Sequence, residues 1–145
     1  MSQTRLILVG GFLGAGKTTL LARAAERLSS SGLKVGLVTN DQAANLVDTQ
    51  LLAQAGRQVR ELSGGCFCCA FTQLVALCDK LVAEFNPDVI LGEPVGSCAD
   101  LSATVLQPIK KYCADRFLLS PFSVLADPDR LAGRPQPVHR FEQTV

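Results

Sequence analysis

The stretch Gly10-Gly11-Phe12-Leu13-Gly14-Ala15-Gly16-Lys17-Thr18-Thr19 decides the fold. It follows a short apolar run, Arg5 to Gly10, and precedes a segment with Leu20, Leu21, Ala24, Ala25 and Leu28 on one helical face. Gly11, Gly16, Lys17 and Thr18 fit the pattern G-x-x-x-x-G-K-[ST]. Glycines let consecutive backbone N–H groups curl inward around a phosphate, and the helix start adds the positive end of its dipole. The cradle candidates are therefore Gly11, Gly14, Ala15, Gly16, Lys17, Thr18 and Thr19. Lys17 is suited to bridge the β- and γ-phosphates, and Thr18 to offer a hydroxyl to Mg2+. The bland alternative is a glycine-rich turn with no ligand. A buried strand before the turn and a helix after it argue against that.

Strands and helices alternate outward from this stretch. Strands are expected at Lys34 to Thr39, Gln58 to Leu62, Asp88 to Gly92 and Phe117 to Leu125, where Pro121 signals an edge position or a bulge. A helix is expected after the loop Asn40 to Asn45, ending by Ala55. A second, Ala70 to Phe85, points Leu74, Leu77, Leu81 and Phe85 inward, and a third, Asp100 to Lys111, is disturbed by Pro108. This alternation predicts α/β architecture: a three-layer P-loop NTPase fold with a mostly parallel sheet. The 145 residues suffice for one domain, 1–145. Phe141 to Val145 reads as the approach to a further element, so the fold is expected to continue past the C-terminus.

Open α/β sheets bind ligands at the carboxyl ends of their strands. Glu93-Pro94-Val95-Gly96 lies at the end of the fourth strand, so Glu93 is a candidate for the Mg2+ side or for orienting the attacking water. Gly96 can bring its N–H close to a γ-phosphate. Asp41, after Asn40 at the end of the second strand, and Asp48 are candidates for water positioning and the Mg2+ shell. Either acid is as well read as a solvated loop carboxylate, and Asp48 as a helix N-cap.

Cys66, Cys68 and Cys69 stand within four residues behind Gly64-Gly65. A bendable loop lets three thiolates converge on one ion, and soft sulfur suits late transition metals. Three ligands leave a position open, as reversible binding requires. Cys66 and Cys69 also form a C-x-x-C pair, so a redox dithiol is a second reading. Cys78, Cys98 and Cys113 have no close companions in sequence and read as small packed hydrophobes, and His139 as a surface residue.

Composition bounds the rest. The chain is 48% hydrophobic with net charge +1, which supports a real core and argues against a broad nucleic-acid-binding face. Arg5 and the apolar run after it imitate a signal peptide, but the Gly16-Lys17-Thr18 spacing is better explained by the phosphate cradle. No apolar stretch approaches the ~20 residues of a membrane-spanning helix. A cytoplasmic location, where the six cysteines stay reduced, is expected.

Together, GGFLGAGKTTLL at Gly10 to Leu21, Asn40-Asp41, GGCFCC at Gly64 to Cys69 and the Glu-x-x-Gly at Glu93 to Gly96 resemble the metal-insertion P-loop GTPases, the CobW-like proteins with their relatives HypB and UreG. The resemblance runs from Thr4 to about Asp127. It implies GTP hydrolysis coupled to delivery of Zn, Co or Ni to a metalloprotein or cofactor-assembly client, and often nucleotide-dependent homodimers. Carried onto these residues, it makes Lys17 and Thr18 nucleotide and Mg2+ ligands, Glu93 the Mg2+-side acid, and Cys66, Cys68 and Cys69 the metal set. Asp41-Gln42-Ala43 departs from the acidic-Phe-Gly form of CobW-like proteins and is closer to HypB and UreG. The Asn-Lys-x-Asp guanine signature and the C-terminal domain of CobW-like proteins would fall past Val145. Two other functions fit the same scaffold: a small-molecule kinase, for which Arg134 and Arg140 are too isolated to form a lid, and a nucleotide-reporting thiol sensor.

Overall fold

Eight residues of continuous strand, β1 (Thr4–Gly11), form the spine of the sheet. The computed structural model describes residues 3–40, 58–98, 100–128 and 132. Asp41, Asp48, the helix expected before Ala55, and His139 lie outside the described residues. Next come α1 (Lys17–Ser30), β2 (Val35–Asn40), β3 (Gln58–Leu62), α2 (Phe71–Phe85) and β4 (Val89–Glu93). A π-helical segment (Ser102–Leu106) then runs into α3 (Gln107–Tyr112), followed by β5 (Phe117–Leu119) and β6 (Ser123–Leu125). The strand order is β3-β2-β4-β1-β5, with β6 also on β1, and every pairing is parallel.

The period of two along the strands builds two cores, one on each face. Val9, Val35, Leu37, Val89 and Leu91 point to the α1 face, where they meet Leu21 and Ala25. Leu6, Leu8, Val38 and Ile90 point to the other face, against Leu74, Cys78 and Leu81 of α2 and Ile109 of α3. The three-layer α/β fold with a parallel sheet is thus as the sequence predicts. The apolar stripe of α1 is narrower than its spacing suggests, because Leu20 is 42% exposed while Leu21 is buried.

Two elements differ from expectation. The single strand expected over Phe117 to Leu125 is two: β5 pairs with Thr4 to Leu6, and β6 with Val9 to Gly11. Pro121 has no N–H to give the ladder, so pairing lapses there. Phe122 instead lays its ring over Gly10, where a Cβ would come within 2.6 Å of it. Near Pro108 the helix widens rather than breaks. The Gln107 N–H reaches back to the Ser102 carbonyl, an i→i−5 bond in the turn just before the proline, which has no N–H of its own to give. Asp100 opens this helical stretch by accepting the Ala103 N–H at 3.3 Å. Among the described residues no helix is long and apolar enough to cross a membrane.

Candidate functional site

The glycine-rich stretch turns off the end of β1 with Gly11, Gly14 and Gly16 all at positive φ, and Gly16 caps α1 from the left-handed region. The Ala15 N–H donates to the Phe12 carbonyl at 3.2 Å, closing the loop on itself. Lys17 is 5% exposed, and its ammonium is held 3.1 Å from that same carbonyl. Its charge is therefore fixed inside the loop's mouth, while Thr19 faces solvent.

Thr18 and Glu93 meet across the edge of the sheet. The Thr18 hydroxyl donates to the carboxylate of Glu93, lying 3.0 Å and 3.1 Å from its two oxygens. Glu93 ends β4 and is 4% exposed. Two hard oxygens at this spacing match one edge of an Mg2+ octahedron, about 3.0 Å for metal–oxygen bonds of ~2.1 Å. The residues present therefore fit that cation.

Gly96 lies against the backbone of the phosphate loop. A Cβ on it would stand 2.8 Å from the Leu13 nitrogen and 3.1 Å from the Gly11 oxygen. Glycine is needed here for close approach of two loops. The Cys98 N–H donates to the Val95 carbonyl at 3.0 Å, so the residues after Glu93 form a tight turn.

The second cluster hangs between β3 and α2. Phe67 is fully buried, and its ring packs against β4 at Gly92, 3.4 Å from where a Cβ would stand, while Leu8 fills the space that the glycine leaves. With this ring as anchor, its neighbours Cys66 and Cys68 are held at the surface. The Asn40 side-chain amide, at the end of β2, donates to the Gly65 carbonyl and fixes the approach to the loop. Sγ of Cys66 lies 2.7 Å from that of Cys68 and 3.0 Å from that of Cys69, and Cys68 to Cys69 is 3.9 Å. Sulfurs sharing a tetrahedral ion with ~2.3 Å bonds stand ~3.8 Å apart, so the cluster is of the size an ion needs after a small opening.

The sulfurs do not share charge equally. Burial pushes the Cys66 thiol up, but hydrogen bonds from Cys68, from Cys69 and from the Cys69 N–H together outweigh it and bring it to about 6. Burial, and donation to Cys66, push Cys68 up to about 12. Donation to Cys66 pushes Cys69 to about 11. One thiolate held by two thiols is a ready nucleophile and metal ligand.

A fourth sulfur touches this group at one member and was not expected, although the sulfurs that all lie within 4.8 Å of one another are those of Cys66, Cys68 and Cys69. Cys98, read from sequence as a packed hydrophobe, has its Sγ 2.9 Å from that of Cys68. The available signal was its place five residues past Glu93, on the same ligand-binding edge. Cys78 and Cys113, by contrast, are buried in the core as expected. Lys17, Thr18, Glu93 and Gly96 are brought together, as are Cys66, Cys68 and Cys69.

The sequence profile of the family described as CobW/HypB/UreG, nucleotide-binding domain, matches residues 5–143. Among similar proteins, Zinc chaperone YjiA of Escherichia coli is 37% identical over 70 residues, covering 48% of this chain and 21% of that one. Zinc chaperone YeiR of the same organism is 35% identical over 96 residues, covering 65% of this chain and 29% of that one. The chain thus spans under a third of the length of these relatives. In fold it is similar to the signal recognition particle receptor FtsY from Elizabethkingia anophelis, with a TM-score of 0.59 at 19% identity, covering 82% of this chain and 42% of that one. It is also similar to the hydrogenase maturation factor HypB from Archaeoglobus fulgidus, with a TM-score of 0.51 at 22% identity, covering 68% of this chain and 47% of that one. With all but the ends of its length inside the profile, the chain belongs to the CobW/HypB/UreG family of nucleotide-binding domains.

Proposed function

We propose that the protein hydrolyses GTP with Mg2+ and couples that cycle to binding and delivery of a transition metal, Zn, Co or Ni, through Cys66, Cys68 and Cys69. The observation that carries this is the convergence of an oxygen site and a sulfur site at one sheet edge. The Thr18–Glu93 contact ends β4, and Phe67, between the cysteines, packs on that strand one residue earlier, at Gly92. The zinc-chaperone names of the relatives support the same reading.

The roles follow from the geometry. Backbone N–H groups of Gly11, Gly14, Ala15, Gly16, Lys17, Thr18 and Thr19 receive the phosphates, and Lys17 supplies the buried positive charge opposite the β/γ-bridge. Thr18 Oγ1 and the Glu93 carboxylate would hold Mg2+, which would neutralise phosphate charge when bound. Glu93 also orients the attacking water by accepting its hydrogen bond. Gly96 senses the γ-phosphate from its place on the loop. Asp41, for water positioning, and Asp48, for the Mg2+ shell, enter the proposal from sequence alone. The domain is residues 1–145 acting in the cytoplasm within a longer protein. Its partners would be a metalloprotein or cofactor-assembly client, with a second copy joining in one nucleotide state; nucleic acid and membrane have no part in it. The second reading, a Cys66–Cys69 redox pair, rests on the C-x-x-C spacing; those sulfurs are 3.0 Å apart, against 2.7 Å for Cys66 and Cys68.

The test is phosphate release by the full-length protein with GTP or ATP, titrated with Zn2+, Co2+ and Ni2+ under reducing conditions. Metal-dependent GTP turnover is expected. Lys17→Ala should lower kcat by roughly 10²–10³, the loss typical of a preorganised donor on developing charge. Unchanged hydrolysis in that variant would remove the phosphate-site assignment. A stoichiometric Cys66–Cys69 disulfide with no bound metal would favour the redox reading.

A further inference from the structure

We propose that Cys98 is a fourth thiolate ligand of the metal site, carried on the nucleotide-sensing turn, so that movement of this turn switches the site between three sulfurs and four. The inference rests on the metal-binding reading of Cys66, Cys68 and Cys69 and adds to it the residue through which the nucleotide acts.

The six residues Glu93 to Cys98 touch three parts of the molecule. At one end Glu93 accepts the Thr18 hydroxyl. In the middle Gly96 rests on the backbone of Gly11, Phe12 and Leu13 with no room for a Cβ. At the other end Cys98 Sγ sits 2.9 Å from Cys68 Sγ. The turn is short and internally braced. Pro94 is buried with its φ fixed by the ring, and the Cys98 N–H closes on the Val95 carbonyl. A displacement at Gly96, two residues away, therefore carries to Cys98 rather than being lost in slack chain. The cysteine loop has its own anchor, the buried ring of Phe67, so the two sulfur sources need not move together. Cys66, Cys68 and Cys69 come from one loop and Cys98 from another, the arrangement in which one ligand can leave while three stay.

Coordination number is what such a device would change. Four thiolates close a tetrahedral site, and three leave a position for exchange with a client's ligand. Reciprocity then holds: whichever nucleotide favours the four-sulfur form is itself bound more tightly when metal is present.

The experiment is a Co2+ titration of the reduced full-length protein, with GDP and with a non-hydrolysable GTP analogue, followed by the sulfur-to-cobalt charge-transfer band and the tetrahedral ligand-field bands. Zn2+ competition supplies the affinities. In the wild type the thiolate count should differ between the two nucleotide states, with affinities differing by roughly 5- to 150-fold, the usual range of coupling between sites. Cys98→Ser should still bind one Co2+, through three thiolates in both states, with the affinity ratio reduced to near one. A wild-type spectrum with three thiolates in both states would overturn the proposal, and needs no variant. So would a Cys98→Ser protein that keeps the full ratio. Failure of the underlying reading looks different: the wild type would then bind no stoichiometric Co2+ at all.

Discussion

The oxygen site and the sulfur site occupy the same edge of the sheet but are held in opposite ways. In the first, backbone does the positioning. Three glycines at positive φ shape the loop, and the side chains that matter, Lys17 and Glu93, are 5% and 4% exposed. In the second, side chains do it, Phe67 beneath the loop and Asn40 at its approach. Cys66, Cys68 and Cys69 are half-buried or exposed, and the loop they share is pinned by the fully buried ring of Phe67. A phosphate cradle must present many N–H groups at once, so it is built into the chain path. A metal cluster needs only a few sulfurs within reach of one ion, and a few side-chain anchors suffice. The turn from Glu93 to Cys98 joins the two.

The largest effect is expected at Phe67. If that ring is the anchor, Phe67→Ala should cost ~3–5 kcal/mol of stability, as expected for a large aromatic removed from a closed core. Urea unfolding measures this. The variant should also lose stoichiometric metal at urea concentrations where it is still folded, because Cys66 and Cys68 no longer share a fixed base. Near-normal stability would mean that the cysteine loop is held by something else.

Gly96 tests the phosphate side. An added methyl at 2.8 Å from the Leu13 nitrogen meets backbone that cannot swing aside. Gly96→Ala should therefore push the turn off the loop, at a cost of ~1–3 kcal/mol, the range for overpacking. Calorimetric titration should show weaker triphosphate binding with diphosphate less affected. Equal loss for both nucleotides would place the damage in the cradle as a whole, and no loss would mean that the turn is not packed as described.

What the sequence made legible follows from how local each feature is. The phosphate loop was readable because strand, glycines, Lys17 and the helix start are contiguous, and the three cysteines because they fall within four residues. Cys98 was not, because its contact with Cys68 depends on which strands are neighbours. β3 and β4 do not touch; both pair with β2, so the cysteine loop must cross the end of β2 to reach the Glu93 turn. The Asn40 bond to Gly65 and the seat of Phe67 beside Gly92 make that crossing, and neither is visible as a spacing. The split of the last strand was half visible. Pro121 announced a fault, but that β1 is long enough to pair with both pieces in turn emerges only from the register.

The smallest effect is expected at Glu84, and it sharpens the claim about what holds the sulfur loop. Arg60 on β3 and Glu84 on α2 form an ion pair, Nη2 to Oε2 at 2.6 Å, tying together the two elements that flank the cysteines. It is an obvious rival to Phe67 as the brace. The carboxylate is 44% exposed, however, where water and salt screen the attraction and side-chain ordering opposes it. The hydrogen bond from Arg60 holds the Glu84 carboxyl below its ordinary value near 4.5. A group whose folded pKa is depressed adds stability above its unfolded pKa and loses it as pH falls through the folded one. The advantage of wild type over Glu84→Gln should thus be present at neutral pH, shrink from about pH 4.5 downward and vanish once Glu84 is protonated in both states. It should also fade with added salt and stay well below the Phe67→Ala effect. Paired unfolding curves at neutral and acid pH measure it. A Glu84→Gln loss as large as that of Phe67→Ala, unchanged by acid or salt, would make the ion pair the brace and the aromatic ring incidental.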